Sequence, residues 1–289
     1  MITAPKTQYT PLLVAALLAV DGLHFVFARA LSGHLPPATS AMFVTGIASA
    51  IIAVFAARRA QLRWQTFRRH AGFFLTIGAL TATSTIGGYT AVSFIDPGTA
   101  ALLQQMGVLF GVVIGIIWLG ERMTRMQIAG AAVCLGGVAI ITFQPGDYLR
   151  TGALIVIGSS FLYALHAAIA KRYGSGIDFV EFFLWRLTTM TGFLFVASLA
   201  QGLLRTPSNQ GWFLLALTGT VDVVISRSLY YLTLRRLQVS IFSLVLTLSP
   251  VMAILWSLFL FGVQPSAREL LGGAAVLAGV TIVTLSRKT

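Results

Sequence analysis

The sequence predicts an all-α integral membrane protein, with ten transmembrane helices in two five-helix inverted-topology repeats around a central cavity. Three observations predict this fold. Hydrophobic residues make up 57% of the 289-residue chain and charged residues 10%, and the mean hydropathy is +0.87. Apolar runs of about 18 or more residues, long enough for membrane helices, recur along the whole chain. Finally, a segment of fourteen residues near the middle of the chain returns at its end with seven identical residues.

Ten apolar segments are predicted to cross the membrane, and short loops join them. In order, spans 1 to 10 are 11–32, 38–57, 71–93, 97–119, 126–143, 151–170, 179–203, 210–234, 239–261 and 266–285. The single cysteine, Cys134, lies inside span 5, so neither a disulfide framework nor a thiolate metal site can form. We therefore expect no appended soluble domain, no cofactor and no metal.

The near-copy relates residues 129–142 to residues 271–284 by a shift of 142 positions without a gap. The same shift places His24 on His166 and Ser84 on Ser226. We infer two repeats of five spans each, residues 1–146 and 147–289. Because five is odd, the second repeat must enter the membrane from the opposite side. That architecture is typical of secondary transporters, whose site lies between the repeats near the midplane.

The copied segment carries glycines at matching positions, Gly130 and Gly137 in span 5 and Gly272 and Gly279 in span 10. Small residues let membrane helices approach closely, so that dispersion forces hold them together. We therefore expect the fifth span of each repeat to be a scaffold or an interface between the repeats. A dimer interface is the alternative, and a monomer is the expected state.

The formal net charge of +12 could indicate nucleic acid, but the positions of the basic residues indicate membrane orientation. If the N-terminus is cytoplasmic, fourteen basic residues lie on the cytoplasmic side and three, Arg150, Arg205 and Arg268, lie outside. Cytoplasmic loops carry such an excess of Lys and Arg. The sequence therefore predicts a multi-pass cell (inner) membrane protein with both termini cytoplasmic and no nucleic-acid partner. The basic stretch 58–69 could instead bind anionic lipid, which is the alternative to a loop that only sets the orientation.

Ionisable side chains inside membrane helices are costly, about 2.5–3.5 kcal/mol each on insertion scales, so they are candidates for function. Asp21 and His24 stand one helical turn apart on span 1, and Tyr163 and His166 occupy the matching positions on span 6. Together these side chains could bind a zwitterion, with Asp21 facing an ammonium group, or they could carry a proton. The alternative is a hydrogen-bonded set that holds spans 1 and 6 together.

Span 8 carries a second polar stripe, in which Asp222 and Tyr230 share one face and Arg227 lies beside them. Asp222 and Arg227 are five residues apart, about 140° around an α-helix, so they cannot pair well with each other on one helix. We expect Asp222 and Arg186 to have a structural role, with Asp222 bonded between helices to Arg186 or Arg227. Binding of a substrate carboxylate is the candidate role of Arg227.

Uncharged polar and aromatic residues complete the candidate binding set. Glutamine suits a neutral or zwitterionic ligand, while a Tyr ring can stack on a ring-bearing one. Ser and Thr in membrane helices often bond their own backbone, which is the alternative for them. On span 9, Pro250 should kink the helix. The candidates are Tyr89, Gln104, Gln105, Tyr163, Tyr230, Ser243 and Thr247.

Local motifs add a family resemblance. The first repeat ends W-L-G-E-R at 118–122, I-A-G-A-A-V-C-L-G-G-V follows at 128–138, and the second repeat has L-S-P at 248–250. With its two five-helix repeats, the chain resembles the drug/metabolite transporter superfamily, EamA type, and within it the YddG-like exporters of aromatic and other amino acids. The resemblance implies ten helices, a central cavity between the halves and efflux of small metabolites.

Other function classes fit the sequence less well. It has no G-x-x-x-x-G-K-[ST] loop, so ATP does not drive it directly. An intramembrane protease would need Ser160 to meet His24, and a channel would conduct without saturation. We expect no catalytic residue and no enzyme, but a secondary exporter of small zwitterionic, amino acid-like metabolites, with neutral or aromatic amino acids favoured. Other small metabolites and drug-like cations are the alternatives.

The mode of energy coupling is open between a uniporter and a proton-coupled antiporter. His24 is the candidate proton carrier because histidine titrates near neutral pH, with an unperturbed pKa of about 6.5. Its copy His166 has Tyr163 instead of an acid at the position of Asp21. We therefore expect the two histidines to differ in function.

Overall fold

The computed structural model describes residues 10–59, 63–119, 124–142, 151–174, 176–234 and 245–286, and every regular element among them is helical. The first half contains α1 (Thr10–Asp21), α2 (His24–Ser32), α3 (Pro37–Arg58), α4 (Trp64–Arg69), α5 (Ala71–Ala91), α6 (Pro97–Gln104), α7 (Met106–Leu119) and α8 (Arg125–Thr142). The second half contains α9 (Thr151–Tyr173), α10 (Phe179–Ala200), α11 (Asn209–Thr218), a π-helix (Gly219–Ile225), α12 (Ser226–Leu234), α13 (Ser249–Phe261) and α14 (Ala267–Leu285).

Eight helical segments in the described part of the chain are long and apolar enough to cross a membrane. They are Pro11–Ser32, Pro37–Arg58, Ala71–Ala91, Pro97–Trp118, Thr151–Tyr173, Phe179–Ala200, Asn209–Tyr230 and Ala267–Leu285. Two further apolar helices, Arg125–Ile141 and Ser249–Phe261, are shorter, and the predicted start of span 9 lies outside the described residues. The all-helical membrane fold is confirmed, while the count of ten spans stays a prediction.

The helix ends follow from local sequence. The Asp96 carboxylate accepts a hydrogen bond from the Thr99 amide at 2.9 Å, with Pro97 in the first turn of α6. Such caps satisfy backbone amides that have no partner within the helix. A reciprocal capping box between Ser266 and Glu269 starts α14. Gly262 ends α13 at a φ of 65°, a left-handed conformation that favours glycine.

Four of the predicted spans are not continuous α-helices. Span 1 is interrupted at residues 22–23, span 4 at Gln105 and span 9 at residues 247–248, just before α13. In span 8, the π-helix separates α11 from α12. The interruption of span 1 coincides with a close packing contact, since a Cβ on Gly22 would lie 2.7 Å from the Cβ of Met252.

One prediction is corrected by this break. Asp21 ends α1 and His24 begins α2, so they do not stand one turn apart on a continuous helix. The amide of Leu23 instead reaches back only three residues, to the carbonyl of Val20 at 3.1 Å. The two side chains therefore need not face the same neighbours.

The two copied glycine segments pack directly against each other. A Cβ on Gly130 would lie 2.8 Å from the Gly279 carbonyl oxygen, and a Cβ on Gly137 would lie 2.5 Å from that of Gly272. The contacts on α14 move to lower residue numbers as those on α8 move to higher ones. The two helices therefore run antiparallel. This arrangement fits the expected scaffold between the repeats.

A second pair of related spans shows the same arrangement. The Thr191 hydroxyl donates to the Thr45 hydroxyl at 2.9 Å, and the hydroxyl oxygens of Ser49 and Thr188 are also 2.9 Å apart. These bonds join α3 to α10, which are spans 2 and 7 of the predicted repeats. Their numbering again runs in opposite directions along the two helices, so this pair also packs antiparallel.

The short helix α4 is attached to the start of α10. The Thr66 hydroxyl donates to the Glu181 carboxylate at 3.0 Å, and Nε of Arg63 lies 3.8 Å from it. The ring centroids of Phe67 and Trp185 are 5.0 Å apart. The loop between spans 2 and 3 is therefore held against span 7 by both polar and aromatic contacts.

Gly137→Ala is expected to destabilise the protein, whereas Gly136→Ala is a matched control. The new methyl group at 137 would meet the Gly272 carbonyl and the Val276 amide at 2.5 and 2.7 Å, both backbone atoms, while a Cβ at 136 meets nothing within 4 Å. Overpacking of this kind costs about 1–3 kcal/mol. Melting temperature in detergent should fall for Gly137→Ala only. Equal melting temperatures for both variants would contradict the α8–α14 crossing.

Candidate functional site

A cavity of about 980 Å³ lies between the two halves of the chain. Its lining reaches from Asp21 and His24, in the middle of span 1, to Lys171 and Thr284, near the C-terminal ends of α9 and α14. In the predicted orientation, those helix ends lie on the cytoplasmic side. The volume is within the range of small-molecule sites in proteins, about 300–1,000 Å³.

The backbone interruptions surround this cavity. Gly22, Gln105, Asp222 and Thr247, one residue from each interruption, all contribute to its lining. Inside a membrane, irregular backbone is tolerated where it is buried in protein or lines a water-filled cavity, because its polar groups then find partners. Both π-helical turns and discontinuous membrane helices are frequent at functional sites.

The main polar contact in the cavity joins span 1 to span 8. Nδ1 of His24 lies 2.8 Å from Oδ2 of Asp222, a hydrogen bond in which the carboxylate accepts. The His24 side chain is 35% exposed, towards the cavity, and the Asp222 side chain is 7% exposed. His24 is thus the accessible member of a pair whose carboxylate is nearly enclosed.

This pair corrects a prediction made from the sequence. Asp222 was expected to bond to Arg186 or Arg227, but the partner that the structure shows is His24. The alternative given for the span 1 charges, a hydrogen-bonded set between spans 1 and 6, differs from the link that the structure shows, which joins spans 1 and 8. The break in span 1 is the physical reason, because His24 begins a new helix and Asp222 lies on the π-helical turn.

Asp21 makes a separate contact. The Ser249 hydroxyl donates to Oδ2 of Asp21 at 2.6 Å, which joins the end of α1 to the start of α13. Nε1 of Trp256 also donates to the Ala19 carbonyl at 2.9 Å. The end of α1 is therefore tied to span 9, while α2 is tied to span 8 through His24.

Two guanidinium groups line the same cavity, from span 7 and span 8. Arg186 lies near the Tyr163 phenol group. The guanidinium carbon of Arg227 lies 6.0 Å from the ring centroid of Tyr230, and Tyr163, Asp21 and Asp222 are close enough to act on it electrostatically. The cavity therefore combines two carboxylates, two guanidinium groups, the amino group of Lys171 and one imidazole.

Most of the predicted residues meet in this one cavity. Its lining includes Asp21, His24, Tyr89, Gln104, Gln105, Tyr163, Arg186, Asp222, Arg227, Tyr230 and Thr247. His166 is not part of the lining; it is buried, and its Nδ1 lies 3.2 Å from the Tyr163 carbonyl oxygen. Ser243 lies outside the described residues. Whether the gathered side chains bind a ligand stays a prediction.

Some lining residues were missed or assigned differently from the sequence. Lys171 was counted only among the fourteen cytoplasmic basic residues, although it lines the cavity. Ser249 was noted only for its neighbour Pro250, whose kink indicated that this part of span 9 is irregular. Val280 and Val283 also line the cavity, so span 10 is more than a scaffold.

The serine–histidine pair of an intramembrane protease is not formed. The Ser160 hydroxyl donates to the Val156 carbonyl of its own helix at 2.8 Å, and His24 is bonded to Asp222. Such backbone bonding is common for serine in membrane helices.

Comparison with known proteins places the chain among transporters. The profile of the EamA-like transporter family matches residues 9–143 and again residues 150–285. A probable terminal-alkyne amino-acid exporter of Streptantibioticus cattleyicolor is 28% identical over 205 residues, 67% of each chain. The uncharacterized transporter YvbV of Bacillus subtilis is 28% identical over 201 residues, 67% of this chain and 63% of YvbV.

The fold also matches a solved crystal structure. The TM-score is 0.65 at 17% sequence identity, and the match covers 97% of this chain and 98% of the other. At that identity the likeness concerns the fold alone. The two profile matches together span nearly all of the sequence, one in each half. The chain therefore belongs to the EamA-like transporter family.

Proposed function

We propose that this chain is a secondary transporter that exports small zwitterionic metabolites, above all neutral and aromatic amino acids, by alternating access. The observation that carries the proposal is the cavity of about 980 Å³ in which Asp21, Asp222, Arg186 and Arg227 meet. A ligand with one ammonium and one carboxylate group can satisfy both signs of charge. The cargo adds no net charge to a site where uncompensated charge is expensive.

The rest of the lining supports a small polar cargo with an apolar side chain. Gln104 and Gln105 supply neutral donors and acceptors, and Tyr89, Tyr163 and Tyr230 supply ring surfaces. One relative of this chain carries the name of an amino-acid exporter, of the probable terminal-alkyne type. This name favours amino acids among the possible zwitterions.

The packing of the halves supports an inverted repeat, with residues 1–146 and 147–289 as the two units. The pairs α8–α14 and α3–α10 both pack antiparallel, as a two-fold axis in the membrane plane requires. The proposed boundary lies among residues 143–150, outside the described part of the chain. The glycine faces of spans 5 and 10 are used within the chain, which favours a monomer over a dimer.

The cavity also supports alternating access. It reaches the ends of α9 and α14, which are cytoplasmic in the proposed orientation. Towards the opposite ends of the helices α6 packs closely on α13, where a Cβ on Gly98 would lie 3.1 Å from Cα of Ile254. The described state would thus be open to the cytoplasm and closed outside. Rocking of one repeat against the other would reverse this.

Orientation is tested by cysteine labelling in a Cys134→Ser background. Gln65→Cys on α4 and Thr206→Cys before α11 place thiols at exposed positions at opposite ends of the spans. With both termini cytoplasmic in the inner membrane, an impermeant reagent added to intact cells should label Thr206→Cys only. Permeabilised cells, in which both sites should react, are the control. Labelling of Gln65→Cys in intact cells would contradict the proposed topology.

The transport activity is tested by counterflow in liposomes that contain the purified protein. We expect saturable exchange of radiolabelled phenylalanine or leucine, and no comparable exchange of quaternary ammonium compounds or nucleotide sugars. Protein-free liposomes are the control. Exchange of cations but not of amino acids would favour the drug-like alternative. Flux without saturation would favour a channel.

Coupling to protons is tested with the two histidines, of which only His24 pairs with a carboxylate in the described structure. His24→Ala should lower transport more than His166→Ala at equal expression and melting temperature. If His24 carries a proton, an imposed pH gradient should drive wild-type flux, and His24→Ala should lose that response. Flux in the wild type that ignores the pH gradient would identify a uniporter.

A further inference from the structure

The charged side chains that line the cavity differ in whether another residue already forms a hydrogen bond with them. Asp222 accepts a hydrogen bond from His24 at 2.8 Å, and Asp21 accepts one from Ser249 at 2.6 Å. Arg227, in contrast, makes no salt bridge and no side-chain hydrogen bond within the part of the chain that the structure describes. Its guanidinium contacts the Tyr230 ring at 6.0 Å from the centroid.

A bound anion would stabilise the Arg227 guanidinium in this position. It has five N–H donors in a fixed plane and cannot lose its charge in a protein. Charged groups at membrane depth are expensive unless they have partners. A carboxylate can take two parallel hydrogen bonds from Arg, an arrangement about twice as strong as neutral hydrogen bonds. A carboxylate on the cargo would therefore be a well-matched partner for Arg227.

Tyr163 adds a neutral donor beside Arg227. Its side chain lines the same cavity, and both Arg186 and Arg227 lie near the phenol group. Because a guanidinium only donates, the phenol oxygen can accept from one of them and keep its own O–H to donate elsewhere. The O–H of Tyr163 and the guanidinium of Arg227 can then hold one anionic group between spans 6 and 8.

The overall charge of the lining agrees with this assignment. The ionisable lining residues of the described part include three basic side chains, Lys171, Arg186 and Arg227, and two carboxylates, Asp21 and Asp222. The balance is +1 before His24 is counted. A cargo with a carboxylate and no amino group would therefore not leave the cavity with an excess of negative charge.

We propose that the carboxylate is the group of the cargo that the site requires, that Arg227 and the Tyr163 hydroxyl bind it, and that the α-amino group is dispensable. This inference rests on the proposed exporter function and extends its substrate class. The cavity should accept small monocarboxylates without an α-amino group, such as deaminated analogues of aromatic amino acids. It should reject the corresponding amines and amides, which keep the ammonium group but lack the carboxylate.

The test uses four compounds with the same aromatic ring: phenylalanine, 3-phenylpropionate, 2-phenylethylamine and phenylalanine amide. Each is added as a competitor of phenylalanine counterflow and, separately, as a ligand in thermal-shift measurements on the purified protein. We expect 3-phenylpropionate to compete within about tenfold of phenylalanine, while the amine and the amide are about 10- to 100-fold weaker, the effect of a lost charged hydrogen bond. A bound ligand should raise the melting temperature in the same order.

Variants identify the residue responsible. Arg227→Gln should weaken phenylalanine and 3-phenylpropionate by about 10- to 100-fold. Arg227→Lys, which keeps the charge but loses the planar fork, should fall between this variant and the wild type. Arg68→Gln removes the same charge at an exposed position on α4 and should change neither affinity. If Arg227→Gln does not fold, Arg227→Lys and the wild-type competitor series still decide the question.

The possible failures are distinguishable. If phenylalanine exchange is saturable but the amine competes and 3-phenylpropionate does not, the carboxylate assignment is overturned and the exporter proposal stands. If phenylalanine is not exchanged at all, the exporter proposal fails. The thermal shifts then judge the anion site independently, since stabilisation by 2-phenylethylamine and not by 3-phenylpropionate would exclude it.

Discussion

The need to satisfy backbone polar groups away from water governs this molecule. In hydrocarbon an unpaired N–H or C=O costs several kcal/mol, so a membrane chain keeps regular helices wherever lipid surrounds it. Here the departures from regularity gather in one place. Spans 1, 4, 8 and 9 are each interrupted, and each interruption contributes to the lining of the central cavity. The helices can therefore be interrupted at the cavity, because protein groups or water there can satisfy the freed backbone groups.

The interruptions also decide which charges meet. The break after Asp21 lets α1 and α2 serve different neighbours, so that Asp21 bonds to Ser249 and His24 bonds to Asp222. Each carboxylate then has a partner from another span, and the guanidinium groups lie towards Tyr163 and Tyr230. Conversion of Asp21 or Asp222 to a neutral residue would therefore make the cavity more positive and would weaken the contact with Ser249 or His24.

The sequence was sufficient for the membrane class, the family and most of the ionisable side chains that line the cavity. Hydrophobic length predicts helices because lipid allows few other structures, and a polar side chain in such a helix must face protein or water. The hydrogen-bond partners of these polar side chains could not be predicted from the sequence, and Asp222 shows why. Its direction depends on a π-helical turn, and that of His24 on a break at Gly22, where α13 approaches closely. His166 matches His24 in the repeat, yet it is buried away from the cavity. Which side chains pair, and which of them line the cavity, therefore depends on tertiary packing.

The two halves share some interruptions and not others. Gln105 and Thr247 are exactly 142 positions apart, and each lies at a break in its span. The break in span 1 has no counterpart in the continuous α9, and the π-helix has none in α5. The simplest history places the shared breaks in the ancestral half-length protein, before its gene was duplicated. On the same history, the breaks at Gly22 and Asp222 arose later, one in each copy. Selection could then adjust the cargo site through the unshared breaks, while both halves kept the shared one.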